Sequence, residues 1–142
     1  MSYSNLISTS IPKEDIKEIL GAIDFINEKL HELVILTDEE KAALPNMHKD
    51  TIKFVSECMN IADKHPEIVT ANVDVPEIKK DYDLVKAIQK INDPLLKMMK
   101  RLEDSALLAE SEAYLPSLAI YNSMQHELVK NKSNKGKIES VS

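Results

Sequence analysis

Apolar residues recur at intervals of three and four along several stretches of the chain, which is the spacing of one face of an α-helix. The first such face consists of Ile16, Ile19, Leu20, Ile23, Ile26, Leu30, Leu33 and Val34. Pro12 precedes it in the expected first turn, where a fixed φ suits a helix start and no N–H is needed. The pattern predicts a first helix from near Ser10 or Ile11 to near Val34.

The next two stretches are bounded by capping and proline signals. Thr37 and Glu40 have the spacing of a capping box, so a short helical segment is expected over 38–44, ended or bent by Pro45. A longer helix is expected within 46–65, stopping before Pro66. Its apolar face consists of Ile52, Val55, Cys58, Met59 and Ala62. This pattern predicts a buried position for the single cysteine.

The second half of the chain predicts two more helices. Asp74 and Glu77 repeat the capping-box spacing before a face of Ile78, Tyr82, Val85, Ile88 and Ile91. At Pro94 two alternatives stay open: a kinked helix running to about Glu110, which is preferred, or two helices meeting at the proline. Ser111 is the expected N-cap of a last helix. The fold class is therefore predicted as all-α, an up-and-down four-helix bundle with an extra segment near 38–44 and a kink or break at Pro94.

Composition supports this fold class. The chain has two glycines in 142 residues, too few for a protein rich in strand turns and phosphate-binding loops. Its length suits one domain, expected over 1–130, with a flexible Lys-rich tail over 131–142. A net charge of −6 argues against nucleic acid as a partner. No apolar run of about 18 residues is present, so no membrane partner is expected, and the lone cysteine with no apparent targeting segment favours a cytoplasmic location.

The sequence shows no catalytic or metal signature. A di-metal site in a four-helix bundle needs two Glu-x-x-His pairs, and only Glu28 and His31 have that spacing. No nucleophile elbow is present, and the four histidines lie in strongly polar contexts. The expectation is therefore no cofactor, no metal site and no catalytic residues, and an enzyme is the less favoured class.

One stretch combines acids, hydroxyls and phenols that are candidates for binding. Its candidate residues are Asp104, Ser111, Glu112, Tyr114, Tyr121 and Asn122. If the chain turns there, these side chains gather at one end of the bundle. Tyr114 and Tyr121 are seven residues apart, so both rings can line one groove, or they can fill the core as ordinary packing residues. Methionines, among them Met98 and Met99, are either an adaptable groove lining or core.

Several short strings, in this order and spacing, resemble a family of small all-helical bacterial proteins of unknown function, met mainly among Bacteroidetes. They are 36–41 (LTDEEK), 44–47 (LPNM), Thr51 with 54–55 (FV), 103–105 (EDS), 111–114 (SEAY) and 121–122 (YN). The resemblance covers roughly 36–122 and implies a four-helix bundle in a bacterial cytoplasm, with no activity attached. The chain departs from the family at Glu110, where relatives have Gly, and in its Lys-rich tail, where relatives often continue into a further segment.

These observations favour a non-enzymatic helical protein that associates through an apolar or tyrosine-lined groove, with another protein or with itself. The alternative is binding of a small molecule or metal ion at the acidic residues Asp104, Ser111 and Glu112. The two classes differ in what they need, since the first requires exposed apolar side chains and the second requires converging polar ones.

Overall fold

The computed structural model describes residues 5–131, and all of its regular elements are helical. They are α1 (Lys13–Lys29), α2 (Asp38–Ala42), α3 (Thr51–Lys64), a 3₁₀ turn (Pro66–Ile68) and α4 (Val75–Lys130). The all-α class predicted from the apolar spacing is confirmed. Apart from Asn131, the predicted tail over 131–142 lies outside the described residues.

The first helix begins close to its predicted position but ends earlier. Pro12 is its N-cap, and Glu14 and Asp15 lie in the first turn, where carboxylates interact favourably with the helix dipole. At the other end, the His31 Nδ1 lies 2.9 Å from the backbone oxygen of Glu28, which satisfies one of the carbonyls left free by the helix end. The β-branched residues that follow, 34–35, have weak helix propensity, so the apolar stripe continues into irregular backbone.

The capping box expected at Thr37 and Glu40 is present, and Asp74 caps the start of α4 through one of the two bonds of the expected box. The Glu40 N–H donates to Thr37 Oγ1 and the Thr37 N–H donates to Glu40 Oε1, both at 3.1 Å, at the start of α2. Before α4, the Glu77 N–H donates to Asp74 Oδ1 at 3.2 Å. These short-range signals involve only neighbouring residues, so they are read reliably from sequence.

The last two predicted helices are a single helix of 56 residues. The helix continues through Pro94, as in the preferred alternative, so the alternative of two helices meeting there is wrong. The prediction of a helix end near Glu110 is also wrong, and Pro116 does not end the helix. The expected N-cap Ser111 is an interior helical residue. The physical reason is that 105–113 contains Ala, Leu and Glu around its two serines and no Gly or Pro, so helix propensity outweighs the weak capping signal of one serine.

The up-and-down bundle is not seen among residues 5–131. Because α4 continues through 111–116, this described part of the chain has no reversal there from which a fourth antiparallel helix could start. None of the described residues is buried, and the best covered side chains are only partly shielded from water. No described helix is long and apolar enough to cross a membrane.

Two compact units are distinguished along the chain. One comprises Pro12–Leu95, with α1, α2, α3, the 3₁₀ turn and the first part of α4. The other comprises Met1–Ile11 and Leu96–Ser142, of which 5–11 and 96–131 are described. In the second unit, the described elements are an irregular N-terminal segment and the rest of α4.

Replacement of the interior proline by Pro116→Ala should stabilise the protein. Proline cannot donate to the backbone oxygen of Glu112, and its ring crowds that carbonyl, at a typical cost of about 3 kcal/mol relative to alanine. We expect a higher Tm and stronger helical circular dichroism. Pro76→Ala is the matched control, since Pro76 lies in the first turn of α4, where an N–H has no intrahelical partner. An unchanged or lower Tm for Pro116→Ala would show that α4 is not continuous there.

The capping box should lower the pKa of Glu40. Hydrogen bonds from the backbone N–H and then the hydroxyl of Thr37 hold the pKa of Glu40 below its ordinary value of 4.5. A lowered folded-state pKa stabilises α2 above the ordinary value, and this contribution disappears as pH falls through the folded-state pKa. We expect an NMR titration of the Glu40 carboxyl to show a pKa below 4.5 and Thr37→Ala to raise it part of the way back, because the hydroxyl is lost and the backbone N–H remains. A Glu40 pKa at its ordinary value in the wild-type protein would rule out the capping box in solution.

Candidate functional site

The predicted acidic site is spread along one helix instead of gathered at a bundle end. Asp104 and Asn122 are 18 residues apart on α4, which corresponds to roughly 27 Å of helix. The prediction that these side chains converge depended on a turn that the structure does not contain. Asp104 lies 3.3 Å from Lys100 in an exposed ion pair one helical turn away. Ser111 is also exposed, two turns from Asp104.

Glu112 has a partner that the sequence did not indicate. Its carboxylate accepts hydrogen bonds from two consecutive backbone N–H groups of the N-terminal segment, at Oε2 from Leu6 and at Oε1 from Ile7, the latter at 3.2 Å. Both belong to the same unit as Glu112. Ile7 is partly covered, and so are Leu108, Glu112, Leu115 and Pro116 on α4. Glu112 thus anchors the N-terminal segment to α4.

The two tyrosines lie on one side of α4, as their spacing predicted. Tyr114 is 60% exposed and Tyr121 is also exposed, so neither fills a core within the described residues. Asn122, next to Tyr121, is exposed as well and points to another side of the helix because successive residues differ by about 100°. Of the six predicted residues, the two tyrosines therefore share one side of α4, and Asp104, Ser111 and Asn122 share another, along which they are spread over about five helical turns.

A second apolar surface lies beside the tyrosines, and we call it the α4 face. It consists of Met98, Leu102, Ala106, Ala109, Ala113 and Ile120. The spacings return to nearly the same helical angle, so these residues form one stripe, with Pro116 between the last two. All six are exposed, including Leu102 at 55% and Ile120 at 71%. From Met98 to Met124, no Asp, Glu, Lys, Arg or His lies within about 60° of the midline of this stripe.

The unit Pro12–Leu95 contains an apolar hollow of about 510 Å³ between α3, the 3₁₀ turn and the start of α4. Phe54 and Ile61 of α3 line it, together with Ile68 and Val73 of the connection. Cys58 also lines this hollow and is exposed, so the predicted burial of the cysteine is wrong. The predicted apolar face of α3 is correct, but the facing surface leaves a space instead of closing over it. The sequence did not predict that the segment between α3 and α4 lines this hollow, because its apolar residues do not recur at helical spacing. Its apolar residues at 68–69 and Val73 were the signal that could have indicated it.

Charged groups do not converge on this hollow or on the α4 face. In the described part of the chain, no group of three or more His, Cys, Asp or Glu side chains is arranged to hold a metal ion. His31 is engaged by the backbone oxygen of Glu28, and His65 Nδ1 lies 3.1 Å from Glu67 Oε1 in an exposed pair. The candidate functional surfaces are therefore apolar.

Comparison with protein-family models, with curated proteins and with solved structures found no match to the chain. The family resemblance drawn from short strings stays a prediction, and the functional interpretation depends on the geometry of this chain alone.

Removal of the Glu112 carboxylate should release the N-terminal segment. Hydrogen bonds to a charged acceptor contribute about 1.5–3 kcal/mol, and each 1.4 kcal/mol corresponds to a factor of about ten. We expect Glu112→Ala to raise hydrogen exchange of the Leu6 and Ile7 amides by roughly tenfold or more, whereas the neighbouring control Glu110→Ala leaves it unchanged. Equal exchange in the two variants would show that Glu112 does not hold this segment.

Proposed function

We propose that this protein functions by association with protein partners through apolar helical surfaces. The observation that supports the proposal is the absence of buried residues in 5–131 combined with many exposed large apolar side chains. Full burial of a Leu, Ile or Met side chain stabilises a protein by about 1.5–3 kcal/mol relative to exposure. The described residues leave a large part of this free energy unrealised, and a partner that covers these side chains gains it.

The part of α4 from residue 96 to residue 130 is the surface best suited to this role. In its unit, the other described element is the short N-terminal segment, which is hydrogen-bonded to Glu112. The α4 face and the adjacent Tyr114 and Tyr121 remain exposed. Aromatic rings and methionine are enriched where proteins bind each other, because they offer large apolar area with adaptable or amphipathic groups.

The helical bundle predicted from the sequence fits this proposal in a modified form. An amphipathic helix in water is stabilised mainly by packing of its apolar face. The helix α4 is also weakened by two interior prolines, Pro94 and Pro116. Helices of a partner supply that packing, so the bundle forms in the assembly. The single cysteine is compatible with a cytoplasmic setting, where thiols stay reduced.

Binding of a small molecule or metal at Asp104, Ser111 and Glu112 has less support. Glu112 already accepts two backbone hydrogen bonds. Asp104 lies about 12 Å from Glu112 along the helix and pairs with Lys100. A binding site needs several polar groups that converge on one volume. These residues are spread along a helix instead.

Capture of partners by the tagged full chain tests the proposal. We expect the double variant Tyr114→Ala with Tyr121→Ala to lose association, both with copies of itself and with proteins retained from a bacterial lysate, while its helical circular dichroism stays unchanged. The control is Ile35→Ser, which removes an apolar side chain that is 97% exposed in the irregular segment between α1 and α2. Wild-type protein that stays monomeric and retains nothing would refute association.

A further inference from the structure

We propose that the N-terminal segment 5–11 is an inhibitory strap, which lies over one side of α4 and has to leave before a partner can cover that side. The inference rests on the proposed function and adds its regulation. The side in question consists of Leu108, Glu112, Leu115 and Pro116, and we call it the strap side. Their spacing keeps these four residues within about 100° of the helix circumference.

The hydrogen bonds of Glu112 are the observation that carries the proposal. One carboxylate oxygen accepts from the Leu6 amide and the other from the Ile7 amide, so the segment is held in both position and direction. Bonds of Asn131 aside, the other side-chain hydrogen bonds within 5–131 join residues no more than four positions apart. The contact at Glu112 is therefore a specific tie between distant parts of the chain, not a local turn or cap.

Partial cover coincides with this contact. Between positions 96 and 123, the four residues of the strap side are partly covered and the others are exposed. Within 5–11, the partly covered residue is Ile7, whose amide donates to Glu112. Because the covered residues of both elements lie at the shared hydrogen bonds, the segment and the strap side cover each other.

The strap is held by little else among the described residues. Leu6 is 77% exposed and Ile11 is 55% exposed, and the backbone over 5–12 forms no helix or strand. A segment with few buried apolar contacts opens locally at a small cost in free energy. Glu112 therefore supplies most of the hold, and the strap can leave without any change in α4.

Release of the strap enlarges the apolar surface that α4 offers to a partner. From the rotation of about 100° per residue, the midlines of the strap side and of the α4 face lie about 90° apart. Tyr114 and Tyr121 lie nearly opposite the strap side. A partner can therefore contact the tyrosines with the strap in place, whereas Leu108 and Leu115 become available only after its release.

The strap lowers the affinity of a partner that covers the strap side. Where only the released fraction of the protein can bind, the apparent affinity falls by that fraction. Hydrogen bonds to a charged acceptor correspond to a preference of roughly tenfold or more for the bonded state. We therefore expect release to strengthen the binding of such a partner by roughly tenfold.

Thiol labelling of the full-length protein tests whether the segment covers the strap side. The background is Cys58→Ser, which removes the native thiol. Leu115→Cys should react with iodoacetamide several-fold faster when Leu6→Pro and Ile7→Pro remove both amide donors. The pair Leu6→Ala with Ile7→Val keeps both amides and should leave the rate unchanged. Equal rates at Leu115→Cys with the two pairs would overturn the inference.

The control for α4 itself is Leu107→Cys in the same background. Leu107 is 66% exposed and lies on another side of the helix, so its labelling rate should not depend on the strap. Equal acceleration at Leu107→Cys and Leu115→Cys would show that the prolines loosen the helix as a whole, and it would overturn the inference too.

Association of the full-length chain, with its native residue at position 115, tests the inhibition. The probes are copies of the chain itself and the proteins that the wild type retains from a bacterial lysate. At low concentration, we expect the proline pair to retain roughly tenfold more of these probes than the wild type does. The further changes Leu108→Ser and Leu115→Ser should remove this gain, because they take away the apolar side chains that release makes available.

The outcomes separate the strap from the proposed function. Faster labelling without stronger association would overturn the inhibition, and the proposed function would stand as long as the wild type associates through Tyr114 and Tyr121. A gain that survives Leu108→Ser with Leu115→Ser would also overturn it, because the partner would then lie elsewhere. Association by neither the wild type nor the proline pair would refute the proposed function, and the inhibition with it.

Discussion

The continuity of the α4 helix, which persists although Pro94 and Pro116 each lack a backbone N–H, is the constraint on which the positions of most candidate residues depend. Once the helix continues through 94 and 116, Asp104, Ser111 and Asn122 are fixed at distances set by the helical rise and cannot approach one another. The same continuity aligns Met98, Leu102 and the alanines into one stripe. One local outcome, helix instead of turn at Ser111, thus removes a polar site and creates an apolar surface.

Apolar spacing was sufficient for the fold class and for most helix starts, because these depend on neighbours within one turn. Thr37, Asp74 and Pro12 each act on residues three or four positions away, so their effect is visible in the sequence. The end of α1 was placed too late, since the stripe through Val34 continues beyond the last helical residue. Periodicity records which residues are apolar and gives no measure of the backbone preference of β-branched residues.

Apolar spacing also predicts part of the candidate surfaces. Tyr114, Tyr121 and the stripe through Leu102 follow from spacing on any helix that includes them. The arrangement of the helices does not follow from spacing, because burial depends on which elements pack together. Apolar residues have the same spacing whether they face a core, a hollow or a partner. Cys58 illustrates this ambiguity: its neighbours are apolar as expected, yet it lines an open space. The bonds from Leu6 and Ile7 to Glu112 join residues more than a hundred positions apart, and no local pattern encodes them.

That long separation has a consequence for the order in which the protein takes shape. During synthesis, Leu6 and Ile7 emerge long before Glu112 exists, so their amides stay bonded to water until most of α4 has been made. Bringing together ends so far apart also costs loop-closure entropy, which grows slowly with length and is offset only after the intervening chain has ordered. Leu6 and Ile7 therefore gain their carboxylate partner only late in synthesis, and a ribosome that stalls before residue 112 leaves both amides without this anchor.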